Sequence, residues 1–254
     1  MWLKIALGPL LLAQGRQVRR QALRLPEADG PRAGVAGGRA AHWRVLVLGD
    51  SSAAGVGVSH QSEALAAPLA HELSQFMGAP VGWQLVATSG HTAADALAAL
   101  REARLQPADL LVTALGVNDV VAQTAPARFL KTLDELHAEA VARAGVRCTL
   151  HSALPPMGRF PLLPQPLRWV MGRDAARLDA ALRRHVQARP DRLHVPLPAA
   201  PPDAQAEGWV AEDGFHPGPQ GYPVWAQVLA AACAEALAGQ RSASVSAALP
   251  QDGQ

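Results

Sequence analysis

Only two cysteines, Cys148 and Cys233, occur in the 254 residues of this chain. Neither a disulfide scaffold nor the CxxC or CxH spacing of a zinc site can be built from them. Lysine is nearly missing too, with Lys4 and Lys131 beside 21 arginines, and charged residues of both signs reach only 17%. No apolar run approaches the ~18–20 residues that a membrane span needs. Aromatic residues make up 4%, with Tyr222 the single tyrosine, so an aromatic platform for sugars is not evident. What the chain has instead is aliphatic material: 49% of its residues are hydrophobic. A chain of this size can bury about 70–75% of its unfolded surface in one core, which excludes wholesale disorder.

The formal net charge of +2 is unevenly spread. Residues 1–44 hold eight basic side chains against Glu27 and Asp29, whereas the remainder holds 15 basic and 19 acidic groups. The body therefore offers no electrostatic case for nucleic acid. The basic arm opens on an apolar stretch, Ile5 to Ala13, followed by Arg16, Arg19 and Arg20. If residues 11–25 are helical, Leu11, Val18, Ala22 and Leu25 share one face and Arg16, Arg20 and Arg24 another. Three readings stay open: an arm packed on the body, a helix resting on anionic lipid, and a signal peptide cleaved after Gly15. The first two leave the protein cytoplasmic or peripheral to a membrane, the third exports it. A Pro/Gly-rich linker is expected from Pro31 to Gly38 and a frayed tail from Ser242. The expected organisation is an arm and linker over 1–40, one domain over 41–240 and a flexible tail over 241–254.

Within the body, short apolar runs at Arg44–Leu48, Trp83–Ala87, Leu110–Leu115, Val146–His151 and Leu193–Leu197 read as strands buried on both faces. Helical stretches, Glu63–Phe76, Ala93–Glu102, Pro126–Ala144 and Asp174–Ala188, alternate with them, and Tyr222–Ala238 closes the series. This pattern predicts an α/β fold of three layers, α/β/α and flavodoxin-like, around about five parallel strands. In such open sheets, ligands bind beyond the carboxyl ends of the strands.

Those ends are chemically rich. Gly49-Asp50-Ser51-Ser52 follows the first strand, Thr88-Ser89-Gly90-His91-Thr92 the second, and Gly116-Val117-Asn118-Asp119 the third. Asp213-Gly214-Phe215-His216-Pro217 stands just before the last helix. A nucleophile, amide donors and a histidine with a carboxylate three residues before it form the inventory for acyl transfer. In four blocks spread over residues 43–238, the chain resembles the SGNH hydrolases, also called GDSL esterases and lipases. The resemblance implies Ser51 as nucleophile and Asp213 and His216 as the rest of a catalytic triad. It also implies Gly90 and Asn118, with the Ser51 N–H, as an oxyanion hole. Ser52 stands where the family usually has leucine, and Leu85, Val86 and Ala87 occupy a region where an asparagine is common.

Each block alone is weak: Ser51 could cap a helix, and Gly90, Asn118 and Asp119 could be turn residues. Their joint placement carries the reading. Rival motifs fail, since no Gly-Lys-Ser/Thr follows Gly49–Gly57, no third glycine completes a dinucleotide fingerprint, and Ala53 breaks the G-x-S-x-G elbow. No histidine pair has metal-ligand spacing, so neither a metal nor another cofactor is expected. His91 is a candidate pocket residue, and His151 reads better as a satisfied strand-end histidine. The proline-stiffened apolar stretch from Leu154 to Met171 offers Pro155, Phe160 and Trp169 as pocket candidates beside the site, or packs as buried loop. The expectation is a serine esterase acting on small-molecule or lipid esters of short to medium acyl length. A carbohydrate O-deacetylase, or a lysophospholipase or thioesterase of the same family, is the alternative. A non-catalytic lipid-binding module is the alternative from another class. Oligomeric state is not legible.

Overall fold

Strand β2 (Trp43–Gly49) is the centre of the sheet, and its alternation divides the core in two. Val45 and Val47 point into one apolar layer, Leu46 and Leu48 into the other. A strand buried on both faces must be apolar at nearly every position, which is why Val45–Leu48 reads as an unbroken run. The computed structural model describes residues 7–201 and 208–248. In chain order these residues form α1 (Gly8–Gln21), β1 (Ala33–Ala36), β2, α2 (Ser51–Ala54), α3 (Ala66–Met77), β3 (Val81–Ala87), α4 (Ala93–Glu102) and β4 (Leu110–Ala114). They continue through α5 (Val117–Val121), α6 (Pro126–Ala144), β5 (Cys148–Ser152), a 3-10 turn (Met157–Arg159), α7 (Leu167–Val186), β6 (Arg192–Val195) and α8 (Gly221–Ala248).

The sheet order is β1-β3-β2-β4-β5-β6, with β2 to β6 parallel and β1 antiparallel to β3. Helices α3 and α8 cover one face; α4, α6 and α7 cover the other. The chain leaves β2 toward β3 on one side and reaches β4 on the other. Their carboxyl ends therefore flank a topological switch point, the place where open α/β sheets bind their ligands.

Three differences from the sequence expectation have clear causes. The stretch read as a linker contains β1, paired in register from Ala33 with Gln84 to Ala36 with Val81. Its residues are small because it lies against β3 closely: a Cβ on Gly34 would come within 2.9 Å of the Trp83 indole. Small residues carry no periodicity, so an edge strand of this kind is invisible to pattern reading. The arm also ends earlier than residue 40, since Ala28 is buried and the Asp29 N–H donates to the Ser59 carbonyl. Finally, α7 begins at Leu167 and α8 runs on to Ala248, so that part of the expected tail is helical. Residues 1–6 of the arm and 249–254 of the tail lie outside the described residues.

Helix α1 starts ahead of the expected position, because Pro9 in its first turn lacks only an N–H that would have had no partner. Its body-facing side carries Leu11, Val18 and Ala22, all half-buried, as the spacing predicts. The Gln14 side chain donates to the Gln165 carbonyl and accepts from the Leu167 N–H, seating α1 on the start of α7. Leu10, Leu12, Arg16, Arg19 and Arg20 face solvent. Among the described residues, no helix is long and apolar enough to cross a membrane.

Candidate active site

Ser51 is the first residue of α2, immediately beyond the carboxyl end of β2. The helix cap is supplied by its neighbour: Asp50 Oδ1 accepts the Ser52 N–H at 3.1 Å. Ser51 Oγ is thereby left for other partners and lies 2.8 Å from His216 Nε2. On the far side of that ring, Nδ1 is 2.5 Å from Asp213 Oδ2. The other carboxylate oxygen of Asp213 accepts the N–H groups of Phe215 and His216, at 2.9 and 3.0 Å. One side chain thus caps its own turn and orients the imidazole, which explains how a spacing of three residues suffices. Burial alone would raise the Asp213 pKa, but hydrogen bonds from the His216 ring and backbone outweigh it and hold the carboxyl below its usual range. Asp213 is therefore a carboxylate facing an imidazole that faces a hydroxyl.

The loop of His216 and the loop that follows Ser51 are in van der Waals contact through glycine. Gly57 has φ +108°, and a Cβ there would sit 2.2 Å from the Pro217 carbonyl oxygen. Any side chain at 57 would push away the residue that follows His216. Tyr222, fully buried at the start of α8, places its hydroxyl 2.9 Å from the Ser52 carbonyl and 2.8 Å from that of Val56. It anchors the closing helix to α2.

The other two blocks meet through Asn118 and Asp119. Asn118, in α5, donates from Nδ2 to the His91 carbonyl at 3.0 Å and to Asp50 Oδ2 at 3.3 Å. Asp119, 1% exposed, accepts the Ala93 N–H at 2.9 Å, fixing the start of α4 to the block after β4. Burial raises its pKa despite that bond. Gly90 adopts φ +86° with no atom near its missing Cβ, and among the described residues neither its N–H nor that of Ser51 donates to a protein acceptor. Ser51, Gly90, Asn118, Asp213 and His216 are thus gathered at one end of the sheet.

The pocket candidates divide. Phe160 packs edge-on against Phe215 with centroids 4.7 Å apart, and Phe215 in turn against the His216 ring at 5.0 Å. His91 is half-buried beside Asn118. Trp169 instead lies exposed on α7 beneath the Arg173 guanidinium. Pro155 leads into the 3-10 turn, and neither it nor Trp169 has a hydrogen bond or ring contact with Ser51, Asp213 or His216. His151 is buried in β5, its Nδ1 2.7 Å from Thr113 Oγ1, and burial pushes its pKa down to about 3. It is a neutral core residue, as the sequence suggested. Among the described residues, no three His, Cys, Asp or Glu side chains converge as metal ligands would.

Sequence reading gave no role to Asp50, which proves fully enclosed. Burial pushes its pKa up to about 6, from an ordinary 3.8. The folded protein consequently binds this proton more tightly than the unfolded chain does. The stabilisation is fully present below pH ~3.8 and is lost as pH rises through about 6. Roughly two pH units at ~1.4 kcal/mol each amount to about 3 kcal/mol. Asp50→Asn does not titrate, so its stability should gain on wild type by about that much between pH ~3.5 and ~8. Denaturant unfolding of both proteins at the two pH values measures the difference, and parallel pH dependences would contradict it.

Comparison with known proteins identifies the family and the fold. Residues 47–224 match the model of a GDSL-like lipase/acylhydrolase family. Among solved structures, the lipase Lip_vut3 from a goat rumen metagenome is 17% identical, with 75% of this chain and 97% of that one covered at a TM-score of 0.59. The psychrotrophic esterase EstA from Pseudoalteromonas sp., in a structure inhibited by monoethylphosphonate, is 17% identical over 76% of this chain and 98% of that one, at 0.55. An extracellular lipase from Streptomyces rimosus is 16% identical over 75% and 99%, at 0.52. At such identities the likeness to these structures is one of fold. A search of curated proteins finds no match.

Proposed function

Because this chain belongs to the GDSL-like lipase/acylhydrolase family and is an ester-bond hydrolase, we propose that it cleaves carboxylic esters of short to medium acyl length through Ser51, His216 and Asp213. The observation that carries this reading is the unbroken series of contacts from Ser51 Oγ through the imidazole to Asp213. His216 takes the hydroxyl proton as Oγ attacks the ester carbonyl, then returns it to the departing alcohol. Water attacks the acyl-enzyme with His216 again as base. Asp213 holds the tautomer with the proton on Nδ1 and stabilises the imidazolium without accepting that proton. The N–H groups of Ser51 and Gly90 and the Asn118 amide receive the charge on the carbonyl oxygen. Asn118 already donates twice, so it would exchange its longer contact, to Asp50, for the oxyanion.

Acyl length is argued from Phe160 and Phe215, which form an apolar wall against the histidine. A lipid surface is a second partner in this reading, because α1 offers exposed Leu10 and Leu12 next to Arg16, Arg19 and Arg20. That combination suits anionic headgroups. The test is a panel of esters of graded acyl length, with a sugar acetate included, presented both in solution and in anionic vesicles. It is run on the full chain and on a chain lacking residues 1–21. We expect preference for short to medium acyl esters, equal turnover of soluble esters by both proteins, and vesicle activity that needs α1. Preference for the sugar acetate would replace the substrate class. Failure of a fluorophosphonate to label the protein at Ser51 would remove the mechanism.

A further inference from the structure

Gly90 sits in an exposed loop and has no side chain to pack, so its N–H can be aimed only by what holds its neighbours. On one side, the His91 carbonyl accepts from Asn118. On the other, the Ser89 N–H donates to Glu27 Oε1 at 2.6 Å. The second oxygen of Glu27 is 2.5 Å from a terminal nitrogen of Arg32, whose other terminal nitrogen donates to the Ala87 carbonyl at 2.5 Å. A carboxylate and a guanidinium from the segment before β1 thus clamp the loop at Ala87 and Ser89. The Arg32 carbonyl, in addition, accepts the Leu85 N–H at 2.7 Å. Within the loop the His91 N–H donates to the Thr88 carbonyl at 3.3 Å, and below it the Thr88 N–H makes a contact of 3.4 Å with the Gly49 carbonyl; both are longer than the bonds of the clamp.

From this geometry we infer that Glu27 and Arg32 are positioning residues for the oxyanion loop, acting on catalysis through Gly90; the inference rests on the oxyanion role proposed for Gly90. Burial would raise the Glu27 pKa, but the hydrogen bonds from Ser89 and Arg32 prevail and hold it low, so the clamp is ionised. Charge-assisted bonds of this kind are about twice as strong as neutral ones. Loss of the clamp lets the Ser89–Gly90 peptide rotate away from the oxyanion. Such an error in aim matters most where charge on the carbonyl oxygen is greatest, so kcat falls and KM does not. Losing an oxyanion donor outright costs about 10²–10³-fold in kcat, and a loosened donor should cost less.

The test measures kcat, KM and Tm for Glu27→Ala, Glu27→Gln, Arg32→Met and Asn118→Ala on one soluble ester. Active protein is counted by fluorophosphonate titration. We expect Glu27→Ala to lose about tenfold in kcat per active site with KM within about twofold, a fraction of the full donor loss. Glu27→Gln keeps an oxygen for the Ser89 N–H and should recover most of that loss, whereas Arg32→Met, which unclamps Ala87, should fall between. A Glu27→Ala protein with kcat per active site within about twofold of wild type (far less than the tenfold that ~1.4 kcal/mol represents) and only a lower Tm overturns the positioning role. If Glu27→Ala does not fold, kcat of Arg32→Met decides in the same way. Should Asn118→Ala also leave kcat unchanged, it is the oxyanion reading itself that fails; if Asn118→Ala falls and Glu27→Ala does not, only the clamp is lost.

Discussion

Replacing Ser51 with alanine is expected to lower kcat on a soluble ester by about 10⁴–10⁶-fold, the range seen when a serine hydrolase loses its nucleophile. The fold should survive, and the structure supplies the reason. Sequence alone allowed Ser51 to be the cap of α2, in which case alanine would cost about 1 kcal/mol of stability. That cap is Asp50, so Ser51 Oγ serves no backbone group and its hydrogen bond is to His216. A melting temperature close to wild type, together with loss of covalent labelling and of turnover, is the expected result. Turnover above about one tenth of wild type, a rise of under ~1.4 kcal/mol in the barrier, would move the nucleophile elsewhere, with Ser52 the first candidate.

Asn118→Ala should lower kcat by about 10²–10³-fold with little change in KM. The amide neither attacks nor moves protons, so the use proposed for it is a hydrogen bond to charge on the carbonyl oxygen. That charge is largest in the transition state, which is why kcat carries the effect. Asn118→Asp should be at least as poor: it sets a second carboxylate beside the buried Asp50, where negative charge must develop. The competing view treats Asn118 as a brace between the two blocks, held by His91 and Asp50. Substitution would then lower Tm and leave kcat of the folded fraction intact. Both quantities measured on the same Ala variant separate the two. A kcat within about threefold of wild type, less than the tenfold that ~1.4 kcal/mol represents, ends the oxyanion role.

The strands and helices of the body were legible because apolar periodicity is a local property. Ala93–Glu102 and Pro126–Ala144 were expected over the same bounds that α4 and α6 occupy. The four blocks were legible because parallel sheets put ligand chemistry at strand ends, so residues far apart in the chain could be assigned to one site. Other features were not. Strand β1 is built of alanine, glycine and valine, and it forms because β3 offers it an edge. Glu27 and Arg32 looked like scattered charges of a basic arm, and nothing in their spacing pointed to a loop about 60 residues away.

By itself, then, the sequence determined the layered α/β body, the order of its helices and strands, and the residue types able to perform acyl transfer. The tertiary structure alone decided which atoms meet. It put the cap of α2 on Asp50 and left Ser51 to His216; it showed one Asp213 oxygen holding a turn while the other orients the ring. It also bound the segment after α1 to the loop that carries Gly90. Periodicity reports which face of an element is buried and is written in neighbouring residues. A hydrogen bond between distant residues depends on the relative placement of two elements to within a few tenths of an ångström, and that placement is set by the packing of the whole core.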